Sequence, residues 1–157
     1  MPMLNISEIV KKTEEMFDLF NQHFYSNELT RPAITISPDG GRGAYGWCSI
    51  HEIWNADSEL YREINLCAEY LDRPITEIAA TLLHEMSHLY NLQHGIQDVS
   101  SNGYYRNMKF KATAEAHGLH IDHQNRPANI PTAGRFYLFY IVYGKHDYHD
   151  RYLYPSV

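Results

Sequence analysis

The chain has 157 residues, 44% of them apolar, which is enough for one domain with a buried core. A net charge of −6 excludes a nucleic-acid binder that works through its whole surface, though not one with a local basic groove. Two cysteines, Cys48 and Cys67, are too few for a four-thiolate zinc site or a disulfide framework, and two free thiols are expected.

The first element in chain order is a helix over residues 5–26. Asn5 with Glu8 three residues on reads as a capping box, and Val10, Thr13, Phe17, Phe20 and Phe24 recur at threes and fours as a core-facing stripe. Arg31-Pro32 ends that region. Ile34-Thr35-Ile36 reads as a short strand, residues 39–43 as a glycine turn, and residues 44–50 and 62–66 as two further strands. The turn is not a phosphate loop, because no Gly-Lys-Ser/Thr follows it. Residues 51–59, with Trp54 among them, read as a polar connection. A second helix starts near Pro74, with Glu77 in its first turn, and ends at Gly95. Asn107 caps a third helix over residues 108–117, closed by Gly118. Residues 120–134 read as loop and residues 136–143 as an aromatic strand. No repeat or boundary interrupts the chain, so a single α+β domain over residues 1–157 is expected. No stretch is long and apolar enough to span a membrane. The first residues do not pair a basic region with an apolar run, so the cytoplasm is the expected compartment.

The second helix carries His84-Glu85-Met86-Ser87-His88, an H-E-x-x-H pattern. Residues i and i+4 share a helix face, so both imidazoles can reach one metal ion, and Glu85 lies about 100° round from His84, within reach of a water there. This is the arrangement of a zinc hydrolase, with His84 and His88 as ligands and Glu85 as general base. Ile75, Ile78, Ala79, Leu82, Met86 and Leu89 form the opposite, core-facing side, so the histidines are expected to face a cleft.

Catalytic zinc takes a third protein ligand, and here the residues leave alternatives open. His94 stands ten residues after His84, the spacing of the longer H-E-x-x-H-x-x-G-x-x-H pattern, with Asn91 where that pattern has glycine. If the helix bends at Asn91, His94 swings back to the metal. If the helix continues, His94 lies about 80° from His84 and about 120° from His88 and cannot ligate. Glu115 on the third helix is the other candidate, completing a His₂Glu set. His117, His120, His123, His146 and His149 read as loop or surface residues.

Several runs together resemble SprT-like metallopeptidase domains. They are Ala44-Tyr45-Gly46-Trp47, Ile64-Asn65-Leu66 with Ala68-Glu69, Arg73-Pro74, and Ala80-Thr81-Leu82-Leu83 leading into the H-E-x-x-H segment and Leu89-Tyr90-Asn91. Gly95-Ile96, Asp98, Ser100, Gly103, Asn107 through Lys111, Ala114-Glu115 and Gly118-Leu119 extend the likeness. It covers about residues 5–120, leaving residues 121–157 as a C-terminal loop and strand extension. The resemblance implies a small zincin-like fold with an N-terminal helix, a short mostly antiparallel sheet, the H-E-x-x-H helix and a following helix. It also implies Zn²⁺ as cofactor and a protein or peptide substrate; DNA association follows from the family likeness alone. Two features depart from the family. Arg106 occupies the slot of the usual third histidine, and a guanidinium cannot ligate zinc. The four-cysteine zinc ribbon that many members carry at the C-terminus is absent, which puts DNA targeting through it in doubt. The expected function is that of a zinc endopeptidase, with His84, His88 and His94 as metal ligands and Glu85 as base. The alternative is a binding module whose metal site is impaired by Arg106.

Overall fold

The computed structural model describes residues 3–39, 43–100, 105–106, 108–121 and 127–129, with backbone alone for residues 100, 105, 106 and 127–129. The expected strand over 136–143, the cap at Asn107, the centre of the 39–43 turn, and His123, His146 and His149 lie outside these residues.

Helix α1 spans Ile6–Tyr25, and the Asn5 side chain accepts from the Glu8 N–H at its start. Of the predicted stripe, Thr13, Phe17 and Phe20 are buried and Val10 and Phe24 are partly buried, while Met16, Asn21 and Tyr25, outside that stripe, are buried as well. Buried phenylalanines such as Phe17 and Phe20 each contribute about 2–3 kcal/mol by leaving water. Past the helix, Asn21 holds the returning chain by accepting from the Leu29 N–H and donating to the Leu29 carbonyl.

Five strands follow: β1 (Ala33–Ser37), β2 (Gly46–Cys48), β3 (Trp54–Ala56), β4 (Glu59–Tyr61) and β5 (Glu63–Cys67). β5 is central, parallel to β1 on one side and antiparallel to β2 on the other. Ile64, Asn65, Leu66 and Cys67 of β5 are all buried, as a central strand covered on both faces requires. Asn65 is satisfied there by accepting from the Thr35 and Ser37 hydroxyls. The β3–β4 hairpin corrects the reading of residues 51–59 as a plain connection. Its turn residues Asp57 and Ser58 both have positive φ, 51° and 65°, the geometry of a tight type I′ turn. Asp-Ser is a weak version of the usual Asp-Gly signal, and three-residue strands leave little alternation to detect.

Helix α2 spans Ile75–Gln93 and follows a 3₁₀ turn at Ala68–Tyr70. It ends as predicted: Gly95 is left-handed (φ 65°) and the Ile96 N–H reaches back to the Asn91 carbonyl. Strands β6 (Val99–Ser100) and β7 (Tyr105–Arg106) pair beyond it, and then helix α3 spans Met108–Ala116. The residues after Gly118 are not all loop, because β8 (His120–Ile121) pairs with β9 (Pro127–Asn129). Four of the five strand pairings among the described residues are antiparallel, so the fold is the expected α+β type. None of the described helices is long and apolar enough to cross a membrane.

Most of the core lies between α1, α2, α3 and the sheet, built from Phe17, Phe20, Tyr25, Ile64, Leu82, Leu83, Met86, Leu89, Phe110, Leu119 and Ile121. A polar contact crosses it, where the buried Tyr25 hydroxyl meets Ser87 Oγ at 3.1 Å, tying α1 to α2. Ser87 in turn donates to the Leu83 carbonyl.

Candidate metal centre

Helix α2 is buried nearly all round, and this differs from the one-sided burial its apolar stripe predicts. Thr81, His84, Glu85, Ser87 and Asn91 are buried along with the apolar residues. The reason is coverage from several directions: α1 meets one flank, β2 crosses another, and α3 lies on the histidine face.

His84 and His88 come together as the i, i+4 spacing dictates, with ring centroids 5.1 Å apart. Both ring nitrogens of His84 are sealed from solvent. Phe110 of α3 packs on both imidazoles, at 4.6 Å from His84 and, stacked, at 4.5 Å from His88. Glu85 is also buried, beneath Gly46 of β2. A Cβ on Gly46 would stand 2.7 Å from the Asn65 carbonyl oxygen, 3.2 Å from Thr81 Cγ2 and 3.6 Å from Glu85 Cγ. Glycine at this position is therefore what lets the strand lie directly on the helix at Glu85.

Asp98, a residue to which the spacing argument gave no role, turns out to be central. Its Oδ2 accepts from His88 Nδ1 at 2.7 Å and from Asn91 Nδ2 at 2.8 Å. Burial pushes the Asp98 carboxyl up, but the hydrogen bonds it accepts from His88 and Asn91 outweigh this and hold the group below the usual carboxylate range. An ionised carboxylate only accepts, so His88 carries its proton on Nδ1 and offers the Nε2 lone pair. This is how metal-binding histidines are commonly oriented. The signal in the sequence was faint: an acidic residue ten positions past His88, just beyond the glycine stop. Asn91, where the sequence left open whether the helix bends or continues, is inside the helix, with its carboxamide between Asp98 and the Thr113 hydroxyl, which donates to Asn91 Oδ1 at 2.6 Å.

The structure does not bring His94 to this pair. Because α2 runs straight through Asn91, His94 falls at the exposed helix end, with Nδ1 donating to the Tyr90 carbonyl at 2.8 Å, its ring stacked on Tyr90, and Nε2 3.9 Å from Glu28. Glu115 is exposed and pairs with Lys111 one turn earlier, at 3.8 Å. His117 stacks on Tyr25 and donates to the Thr113 carbonyl, on another side of the core. The donor set thus suits a metal at two positions, with the imidazoles adjacent and one of them oriented. Among the described residues no group of three or more His, Cys, Asp or Glu is placed to hold a metal ion.

The wall beside Glu85 continues past β2. The Arg73 guanidinium lies 4.0 Å over the half-exposed Tyr45 ring and donates to Thr81 Oγ1, one turn before Glu85. Cys48 at the end of β2 is a free thiol pushed up by burial and by the Glu85 carboxylate.

Residues 13–125 match the sequence model of the SprT-like family. No curated protein and no solved structure is similar enough to the chain to count as a match.

Proposed function

The chain belongs to the SprT-like family, and from that membership and the paired imidazoles we propose that it is a zinc-dependent metallopeptidase acting on protein substrates. The observation that carries this reading is the His88–Asp98 hydrogen bond, which orients one imidazole beside a second and next to a buried glutamate. His84 and His88 would hold Zn²⁺, with the remaining positions going to donors that the described residues do not supply. When bound, zinc supplies Lewis acidity, which lowers the pKa of water to about 7 and polarises the scissile carbonyl. Glu85 takes the proton of the attacking water and returns it to the leaving amine. Phe110 covers one face of the imidazoles and β2 covers Glu85, and this partial exclusion of water strengthens charge interactions there. The substrate fits as an extended strand on the edge of β2 that does not pair with β5, directly above Thr81 and Glu85. Backbone pairing of that kind carries little sequence preference. Two free thiols suit a reducing compartment, the cytoplasm. Association with DNA has the family likeness as its only support.

Glu85→Gln is the test. It should keep zinc content unchanged while cleavage of an unfolded, fluorescence-quenched protein falls by about 100- to 10,000-fold. Full retained activity would refute the assignment.

A second reading, a binding module without hydrolysis, is favoured by Arg106, which falls on β7 in the slot of the family's usual third histidine. Purified protein holding less than about 0.1 equivalent of zinc after supplementation would support it.

A further inference from the structure

We propose that Asn91 and Thr113 are positioning residues for His88, acting through Asp98 to fix which of its ring nitrogens carries the proton. The part of this that concerns metal affinity rests on His84 and His88 holding zinc; the part that concerns the tautomer does not.

The argument follows the direction of each donor. Asn91 lies seven residues after His84, on the same helix face, so its side chain continues the line of the two histidines. Its carboxamide has one acceptor end and one donor end. The acceptor end takes the Thr113 hydroxyl at 2.6 Å, which leaves the amide to donate to Asp98 at 2.8 Å. Reversing the amide would turn the Thr113 bond round and point an oxygen at a carboxylate, so Asp98 forbids it. Asp98 is thereby held with one oxygen between the Asn91 amide and His88 Nδ1. Asn91, Asp98 and Thr113 are buried, so water cannot easily replace a lost partner, and a half-satisfied chain costs more than the same chain in solvent.

The chain joins three pieces of backbone: α2, the loop after Gly95, and α3. The same α3 that presses Phe110 on the imidazoles therefore also sets, three residues later, the proton position of one of them. This gives a physical reason for asparagine at residue 91: its side chain is used, and its tolerance of left-handed backbone is not.

The test uses the full-length chain, metal-free and ¹⁵N-labelled. Long-range ¹H–¹⁵N spectra report which nitrogen of His88 is protonated. Wild type should show Nδ1–H with Nε2 bare. Thr113→Val and Asn91→Leu should show a mixture of tautomers, and Thr113→Ser should restore the wild-type pattern. Titration of Zn²⁺ against a chromophoric chelator should show binding about 10- to 100-fold weaker in Asn91→Leu, with a smaller loss in Thr113→Val. A wild-type His88 tautomer in both Thr113→Val and Asn91→Leu would overturn the proposal. If Asn91→Leu does not fold, the Thr113→Val and Thr113→Ser pair decides the matter alone. If the wild type binds no zinc, the metallopeptidase reading fails, while the spectra still decide the positioning role.

Discussion

Gly46→Ala is the sharpest test of how β2 meets α2. The added methyl would sit 2.7 Å from the Asn65 carbonyl oxygen, short of ordinary contact by roughly 0.5–1 Å. That oxygen belongs to the central strand, so it cannot retreat without disturbing the pairing of β5 with β1 or β2. The second contact, 3.2 Å to Thr81 Cγ2, pushes toward α2. Gly46 has no positive φ, so the whole cost is steric. Overpacking of this kind costs about 1–3 kcal/mol, roughly 3–10 °C in Tm for a chain of this length. Gly95→Ala is the contrasting control: nothing lies within 4 Å of its Cβ, but its φ of +65° costs about 1–2 kcal/mol for an L side chain. Gly95→Asn should recover most of that loss, while no side chain should rescue Gly46. Urea unfolding and calorimetry on the variants give the numbers. If Gly46→Ala changes stability by less than about 0.5 kcal/mol, β2 does not lie against α2 as described.

His94→Ala should leave zinc content unchanged, since its Nδ1 is spent on the Tyr90 carbonyl at the exposed helix end; elemental analysis beside wild type checks it, and loss of zinc would mean that the end of α2 rearranges. Stability should also fall above about pH 8.5, where an ordinary thiol ionises. Burial raises the Cys48 and Cys67 thiols and the Tyr25 phenol in the folded chain. The unfolded chain therefore loses these protons first: their contribution is whole below the unfolded pKa and declines as pH rises through the window, by about 1.4 kcal/mol per pH unit for each group. Denaturation midpoints from pH 7 to 10.5 measure this, and Cys48→Ala should make the decline shallower.

What was legible in the sequence was what one helix or one strand decides alone. Asn5, the Phe17–Phe20 stripe, Pro74 and Gly95 each act over a few residues, and they set the helix bounds to within a residue or two. The approach of His84 to His88 is likewise a property of four residues of helix. The contacts that complete the site are of another kind. Gly46 matters because of Asn65 and Glu85, and Asp98 matters because Gly95 turns the chain back toward His88. Phe110 gains a part in the site only once α3 is laid on the histidine face. Pairings across tens of residues leave no period to detect. The burial of α2 on several sides was hidden for the same reason, because a stripe reports how apolar a face is and not what covers it.

The Tyr25–Ser87 contact bears on the angular setting of α2, the helix that carries the histidine pair. Ser87 stands on the flank of α2, to one side of the histidines, so a hydrogen bond there acts as a tangential stop against rotation about the axis. The imidazole nitrogens ride at a radius of roughly 6 Å, and a roll of about 10° would carry them about 1 Å sideways. For the proposed hydrolysis, a displacement of that size costs about two orders of magnitude in rate. A phenol at the end of the first helix, 62 residues away in the chain, thus works as an alignment pin for the histidine pair.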